Sequence, residues 1–301
     1  MTSISHSGER AMFSFSDNDR PQDCLTATMH YLVLGSTEPQ ATADFYQRAM
    51  GYRLSTEGDR VIARAAGRTL ILAPGVPNTL IEAGFLLPDT AELARLRARI
   101  DAAGHPREDG GNTLLADAVG VRDPDGNLYR FGVAATTEPP PVDATRPASL
   151  DARLQHVVLA SRDPRRIVRF FVEVLGFTVS DDVLDAAGDL ATSFLRCSVE
   201  HHSFAVFRAS EDRFDHHCYE TRDWNSVRDW ADHLASEHIR LQWGPGRHGP
   251  GNNLFIFFHD PIGNWVELSA ELERVTHDRP VGAWAHEERT LNSWGPGKLR
   301  S

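Results

Sequence analysis

DPIGNWVELSA, from Asp260 to Ala270, repeats DPDGNLYRFGV, from Asp123 to Val133. A second matched pair stands upstream of these phrases. YLVLGS (Tyr31–Ser36) and HVVLAS (His156–Ser161) each open one half of the chain. Each is followed by a helical stretch, ending in Met50-Gly51-Tyr52 in the first half and Leu175-Gly176-Phe177 in the second. The opening phrases are 125 positions apart and the closing phrases 137, so the second half is about twelve residues longer between its anchors. Self-similarity on this scale predicts two units of the same architecture.

Within each half the local signals alternate. HVVLAS is a short β-rich run, and Asp163-Pro164 supplies an N-cap acceptor followed by proline at the first helical position. Val168, Phe171, Val172 and Leu175 then recur on one helical face until Gly176 ends it. FTVSDDV, ATSFLRC and HSFAVFR read as strands. A second round begins at HHCYET (His216–Thr221), continues through a helix with Trp224, Val227, Trp230 and Leu234 on one face, and closes on LFIFF and NWVELSA. The order β-α-β-β-β, twice per half, predicts an α+β fold of two tandem domains.

The boundaries follow from composition. Residues 1–27 are polar and without period, and read as an arm. Residues 28–135 form the first domain. The stretch TTEPPPVDATRP (Thr136–Pro147), with three consecutive prolines, cannot enter a sheet or helix and predicts a linker over 136–150. The second domain spans 151–272, and 273–301 is a C-terminal tail.

The 301 residues carry a formal net charge of −11, with 41% hydrophobic and 24% charged residues. An acidic chain of this kind disfavours nucleic acid and anionic membrane as main partners. No run of 18 apolar residues occurs, so no transmembrane helix is expected. MTSISHSGER lacks the apolar stretch of a signal peptide. The cysteines Cys24, Cys197 and Cys218 are odd in number and widely spaced, which fits a reducing, cytoplasmic compartment better than a disulfide framework. Lys298 is the only lysine, which reads as a codon bias toward arginine.

Histidines crowd the second half: His156, His201, His202, His216, His217, His248 and His259. Three residues fall at matched places in the repeat. His156 is on the first strand of one module, His217 on the first strand of the next, and Glu267 on the last. Strand side chains alternate faces, so Glu267 shares a face with Trp265 and Ser269. A buried glutamate among apolar neighbours needs a compensating partner. Two imidazoles and one carboxylate form the facial triad of non-haem Fe(II) oxygenases and leave metal positions open for substrate and dioxygen. In each of the pairs His201-His202 and His216-His217, only one ring can face such a cavity.

These residues resemble the two-domain extradiol (type I) ring-cleavage dioxygenases of the vicinal oxygen chelate (glyoxalase/bleomycin resistance/dioxygenase) superfamily, over about residues 29–295. The most specific stretch reads Gly246-Arg247-His248, seven residues, Ile256, Phe257, Phe258, His259, Asp260, Pro261, Ile262, Gly263, three residues, Glu267. It departs from the family pattern at one place, where Phe257 stands for a tyrosine. The resemblance implies that each domain curls its two βαβββ modules into a partly open mixed β-barrel around a cavity. It implies metal ligands His156, His217 and Glu267, His217 being preferred because the family's ligand is the second of its pair. The implied ion is Fe(II), with Mn(II) as the alternative. His202 would move protons and steady bound oxygen, and His248 would hydrogen-bond substrate. The implied reaction inserts both atoms of O2 into a catechol-type diol, substituted or bicyclic, and breaks the ring beside the hydroxyls rather than between them. A homo-oligomer is implied as well.

Phe257 keeps the tyrosine's shape and loses its hydroxyl, a loss of about 2–4 kcal/mol at an oxyanion-type site. Tyr219, two residues from His217, is a candidate to replace it at the substrate, with core lining as the other reading. The first half lacks the site: Tyr31 stands for the first histidine and Arg130, which cannot ligate a cation, for the glutamate. Two other functions compete with extradiol cleavage. One is another metal enzyme of the scaffold, a hydroquinone-type dioxygenase or a glyoxalase-like isomerase. The other is a metal-free protein that binds a small aromatic. The histidine set disfavours both.

Overall fold

A computed structural model describes residues 24–135 and 147–299. The first half runs β1 (Thr28–Ser36), α1 (Pro39–Met50), β2 (Arg53–Glu57), β3 (Arg60–Ala65), β4 (Arg68–Pro74), β5 (Leu80–Leu86), α2 (Thr90–Ala102), β6 (Glu108–Asp109), β7 (Leu115–Arg122) and β8 (Leu128–Ala134). The second half runs β9 (Arg153–Ser161), α3 (Pro164–Arg169), β10 (Thr178–Leu184), β11 (Leu190–Arg196), β12 (Phe204–Arg208), β13 (Arg213–Glu220), α4 (Trp224–Ser236), β14 (Trp243–Arg247), β15 (Leu254–His259) and β16 (Trp265–Ala270). The predicted β-α-β-β-β order is present four times. Two short elements of the tail follow, β17 (Gly282–Ala285) and α5 (Glu288–Leu291).

Each half is one mixed sheet. The first is ordered β2-β3-β4-β1-β5-β8-β7-β6 and the second β14-β15-β16-β13-β9-β12-β11-β10-β17. In both, the first strands of the two modules pair antiparallel at the centre, β1 with β5 and β9 with β13. Each of these strands also pairs in parallel with the last strand of its own module, which only a crossover connection allows.

The helices form where the caps predict. Asp163, Asp89 and Asp223 each accept a backbone N–H at a helix start. The helix after Asp163 widens into a π-turn over Phe170–Leu175 and ends on Gly176 in the left-handed region. Of the α4 stripe, Val227, Trp230 and Leu234 are buried, but Trp224 is 40% exposed and meets Trp294 edge-on.

One core serves both halves. Tyr129 of β8 packs on Phe171, which stacks on Phe204 with ring centroids 3.8 Å apart. Tyr46 of α1 and Tyr52 lie against His217 and Tyr219 of β13. Burying a large apolar side chain contributes about 1.5–3 kcal/mol, so these cross-half contacts tie the repeats together strongly. The described end of the arm, residues 24–27, is docked on the second half. Leu25 N–H donates to Gly176 O and Ala27 N–H to Cys197 O. The rest of the arm and most of the linker lie outside the described residues.

The tail belongs to the second sheet. β17 adds to β10 in parallel, Asp181 opposite Gly282, and extends the sheet to nine strands. No helix among the described residues is long and apolar enough to cross a membrane.

Candidate metal centre

Adjacent strands at the centre of the second sheet set the site in two rows. Cys218 lies opposite His156 on β9 and Glu267 on β16; His216 lies opposite Val158 and Trp265. All six side chains therefore share one face. His217 falls between the rows and points the other way.

Three ligand atoms converge on this face. His156 Nε2 and His216 Nε2 lie 3.2 and 3.3 Å from Glu267 Oε2, and 3.4 Å from each other. The partners of the opposite ring nitrogens fix the tautomers. His216 Nδ1 lies 2.7 Å from the Asp215 carboxylate, which only accepts, so the proton is on Nδ1. Gln155 donates its amide N–H to His202 O, which leaves its carbonyl to accept from His156 Nδ1. Both Nε2 atoms thus present lone pairs to each other and to a carboxylate oxygen. Buried lone pairs this close repel unless a cation sits among them. An octahedral face with ligand distances of about 2.1 Å has edges of about 3.0 Å, and a tetrahedral one about 3.4 Å. The observed triangle fits a small divalent ion.

Protonation states agree. Burial lowers the pKa of His156 and keeps its imidazole neutral. Asn253 donates to Glu267 Oε1 at 3.2 Å. One ligand atom each of His156, Cys218 and Glu267 also falls within 4.8 Å. Cys218 is a poor ligand there, because burial raises its pKa well above the usual thiol value and its S–H reaches Ser269 Oγ at 3.2 Å.

The expectation at His217 is therefore corrected: His216, not His217, brings its ring to His156 and Glu267. His217 faces the core between the halves, 3.4 Å from Tyr46 Oη, with its ring stacked beside Phe214. Burial depresses its pKa to about 3. A bulge between Phe214 and His216 resets the alternation of β13, so His217 rather than His216 shares the face of Phe214. Tyr219 is corrected with it. Its hydroxyl accepts from Tyr52 Oη at 2.9 Å on the inter-half face and cannot reach a substrate at the metal face.

The other predicted residues come together. His202 packs on His156 with ring centroids 4.4 Å apart. His248 Nε2 lies 3.7 Å from Glu267 Oε1, and its Nδ1 donates to Leu291 O in the tail. Phe257 lies edge-on to His216 and stacked on Trp243. A cavity stands over the three ligand atoms, lined by Phe194, Phe207, Trp243 and Phe257 and by His286, Thr290, Leu291 and Lys298 of the tail. A concave, largely aromatic lining with a few convergent polar groups suits a small-molecule site.

Sequence reasoning missed Asp215 and Gln155. One signal was present. Asp89 and Asp223 cap α2 and α4, and superposing them places Leu93, Leu96 and Ile100 on Val227, Trp230 and Leu234. The same offset puts Glu82 on His216 and Ala83, a core residue, on His217.

The family model for the glyoxalase/bleomycin resistance protein/dioxygenase superfamily matches residues 28–131 and 153–268. The chain belongs to this superfamily. The superfamily match covers both halves, although among the described residues the converging ligand atoms lie in the second. Among curated members, metapyrocatechase 2 of Cupriavidus necator is 27% identical over 227 residues, 68% of this chain and 69% of that protein. The iron-dependent extradiol dioxygenase of Rhodococcus jostii (strain RHA1) is 25% identical over 75% of this chain and 80% of that protein. Among solved structures, the Mn(II)-bound glyoxalase from Novosphingobium aromaticivorans has a TM-score of 0.76 at 25% identity, covering 91% of this chain and 92% of that one. Homoprotocatechuate 2,3-dioxygenase from Brevibacterium fuscum, at 23% identity and TM-score 0.77 over 90% of each chain, shares the fold.

Proposed function

We propose that the protein is an extradiol dioxygenase that opens an aromatic vicinal diol beside its hydroxyls. The observation that carries this reading is the convergence of two imidazole lone pairs and one carboxylate oxygen, flanked by His202 and His248, on the floor of an aromatic-walled cavity. Relatives named metapyrocatechase and extradiol dioxygenase support it. His156, His216 and Glu267 would hold the metal, Fe(II) in this reading with Mn(II) as the alternative. The bound ion supplies a chelation point for both diol oxygens and a path for electrons from the ring to dioxygen.

The chain's own groups do the rest. Phe194, Phe207, Trp243 and Phe257 present ring faces and edges that hold a flat aromatic substrate and exclude water. His202, using Nδ1 for His201, has Nε2 left to take a proton from a diol hydroxyl and return it to an oxygen of the opened product. His248, with its Nδ1 proton fixed on Leu291 O, offers Nε2 as an acceptor to a second substrate hydroxyl. Both atoms of O2 enter the product and one ring C–C bond breaks. A homo-oligomer in the cytoplasm belongs to the same proposal.

The likeness to a Mn(II)-bound glyoxalase favours a second reading, an isomerase that needs the ion but no oxygen. Anaerobic purification, metal analysis, and oxygen uptake with a panel of catechols separate the two. Oxygen consumption with appearance of a yellow ring-opened product supports cleavage. Bound metal without oxygen consumption rejects it in favour of the isomerase, and absence of affinity for any divalent ion rejects both.

A further inference from the structure

We propose that His201, held by Asp181 and the C-terminal strap, is a positioning residue that fixes the tautomer of His202, so that the nitrogen facing the cavity is a bare proton acceptor when substrate arrives. The inference rests on the dioxygenase reading for its consequence but on geometry for its content.

His201 and His202 are both buried, with rings nearly perpendicular and Nδ1 atoms 3.0 Å apart. A single hydrogen fits between those two nitrogens, so one ring donates and the other accepts. Which one does so is settled on the far side of His201. Its Nε2 lies 3.0 Å from Asp181 Oδ2, in ion-pair contact but off the line of a hydrogen bond. A lone pair on Nε2 would face a carboxylate oxygen at that distance, so the His201 proton is on Nε2.

Asp181 already has its charge balanced. Arg279 donates to its Oδ1 at 2.7 Å, Trp284 Nε1 to its Oδ2 at 2.7 Å, and Gly282 N–H to Oδ1 at 3.2 Å. With Arg279 as counter-ion, a neutral His201 completes the set. Its Nδ1 is then a lone pair, His202 Nδ1–H donates to it, and His202 Nε2 is bare toward the cavity. The three donors on Asp181 all come from the strap. Gly282 is required there, because a Cβ would lie 2.3 Å from Asp181 Oδ1. The tail that lines part of the cavity and the nitrogen that handles the proton are thus held by one carboxylate.

The proton balance is closed. A diol O–H gives its proton to His202 Nε2, both nitrogens of His202 then carry hydrogen, and the new charge is stabilised by the His201 lone pair backed by Asp181. The same proton returns to an oxygen of the product, and no electron passes through the relay.

Two substitutions of His201 test this on the metal-loaded full chain. In His201→Gln the amide oxygen can accept from His202 and the NH2 can face Asp181, so kcat should stay within about fivefold. In His201→Phe the acceptor is gone, and kcat should fall roughly 100-fold with KM within twofold and metal content unchanged. Equal loss in both variants, or loss in neither, overturns the inference. A measurement on the unaltered protein guards against variants that fail to fold. With Zn(II) bound, 15N-histidine spectra should show His202 protonated at Nδ1 and bare at Nε2. The reverse tautomer overturns the inference whether or not oxygen is consumed. The expected tautomer in a protein that consumes no oxygen with any diol would leave the relay standing and overturn the dioxygenase reading.

Discussion

Glu82, opposite Val33 on β1, stands in the first sheet where His216, opposite Val158 on β9, stands in the second. The equivalence extends to the whole site. Tyr31 takes the place of His156, Gly84 of Cys218 and Arg130 of Glu267. Arg130 binds both oxygens of Glu82 at 3.1 and 3.2 Å, and Tyr31 donates its hydroxyl to the same carboxylate. A Cβ on Gly84 would fall 2.0 Å from the Tyr31 ring, so the ring fills space that a thiol side chain occupies in the second half. The first half satisfies its buried acid with an internal cation, where the second leaves three lone pairs for an external one.

His216→Ala should abolish stoichiometric binding of Fe(II) or Mn(II), while His217→Phe should retain it. Asp215→Ala, which frees the His216 ring from its tautomer partner, should weaken metal affinity by about 10–100-fold. Metal analysis after dialysis against a graded chelator reads all three. Full metal retention in His216→Ala would remove this residue from the ligand set.

Glu82→Ala should cost about 1–3 kcal/mol of stability, because Arg130 and the Tyr31 hydroxyl lose their acceptor in a half-buried place. Urea denaturation checks the size. Metal content and oxygen uptake of the folded variant should be unchanged; a parallel loss of metal would give the first half a part in the site.

Phe257→Tyr puts a hydroxyl beside His216 and Trp243. On unsubstituted catechol, kcat/KM should rise on the order of tenfold, a fraction of what one such donor contributes at a charged transition state. Steady-state oxygen uptake decides it. An unchanged rate would mean that the substrate or the tail already fills that role.

Acid stability should carry the signature of Asp181. Burial pushes its carboxyl up, but His201, Arg279 and Trp284 outweigh that and bring the pKa down to about 2. The folded value lies below the unfolded value of about 3.9, so the unfolded chain binds more protons between them. The stability contributed by Asp181 is therefore complete above about pH 4 and lost as the pH falls toward 2. Urea midpoints across pH 2–5 should fall less steeply in Asp181→Asn than in the unaltered protein. Identical slopes would contradict the depressed pKa.

Much of this was legible in the residues. The doubled phrases around His156, Tyr31, Asp123 and Asp260 determined the four β-α-β-β-β modules, because a repeated pattern of caps, apolar stripes and glycine stops repeats the local structure. His156, Glu267, His202 and His248 were legible as a set for the same reason, and the replacements Tyr31 and Arg130 as its absence from the first half. The tertiary structure decided between His216 and His217, for which the residues held only the offset between Asp89 and Asp223. Alternation along β13 gives two faces, but a bulge shifts the phase and the neighbouring α1 claims one face for the core, and neither is a local property of DHHCYE. It also decided that Tyr219 serves the inter-half contact, that Asp215 and Gln155 fix the tautomers, and that the tail lines the cavity and clamps Asp181. Each of these joins groups distant in the chain or turns on which face of a strand is inward, and such relations are set by packing rather than by sequence spacing.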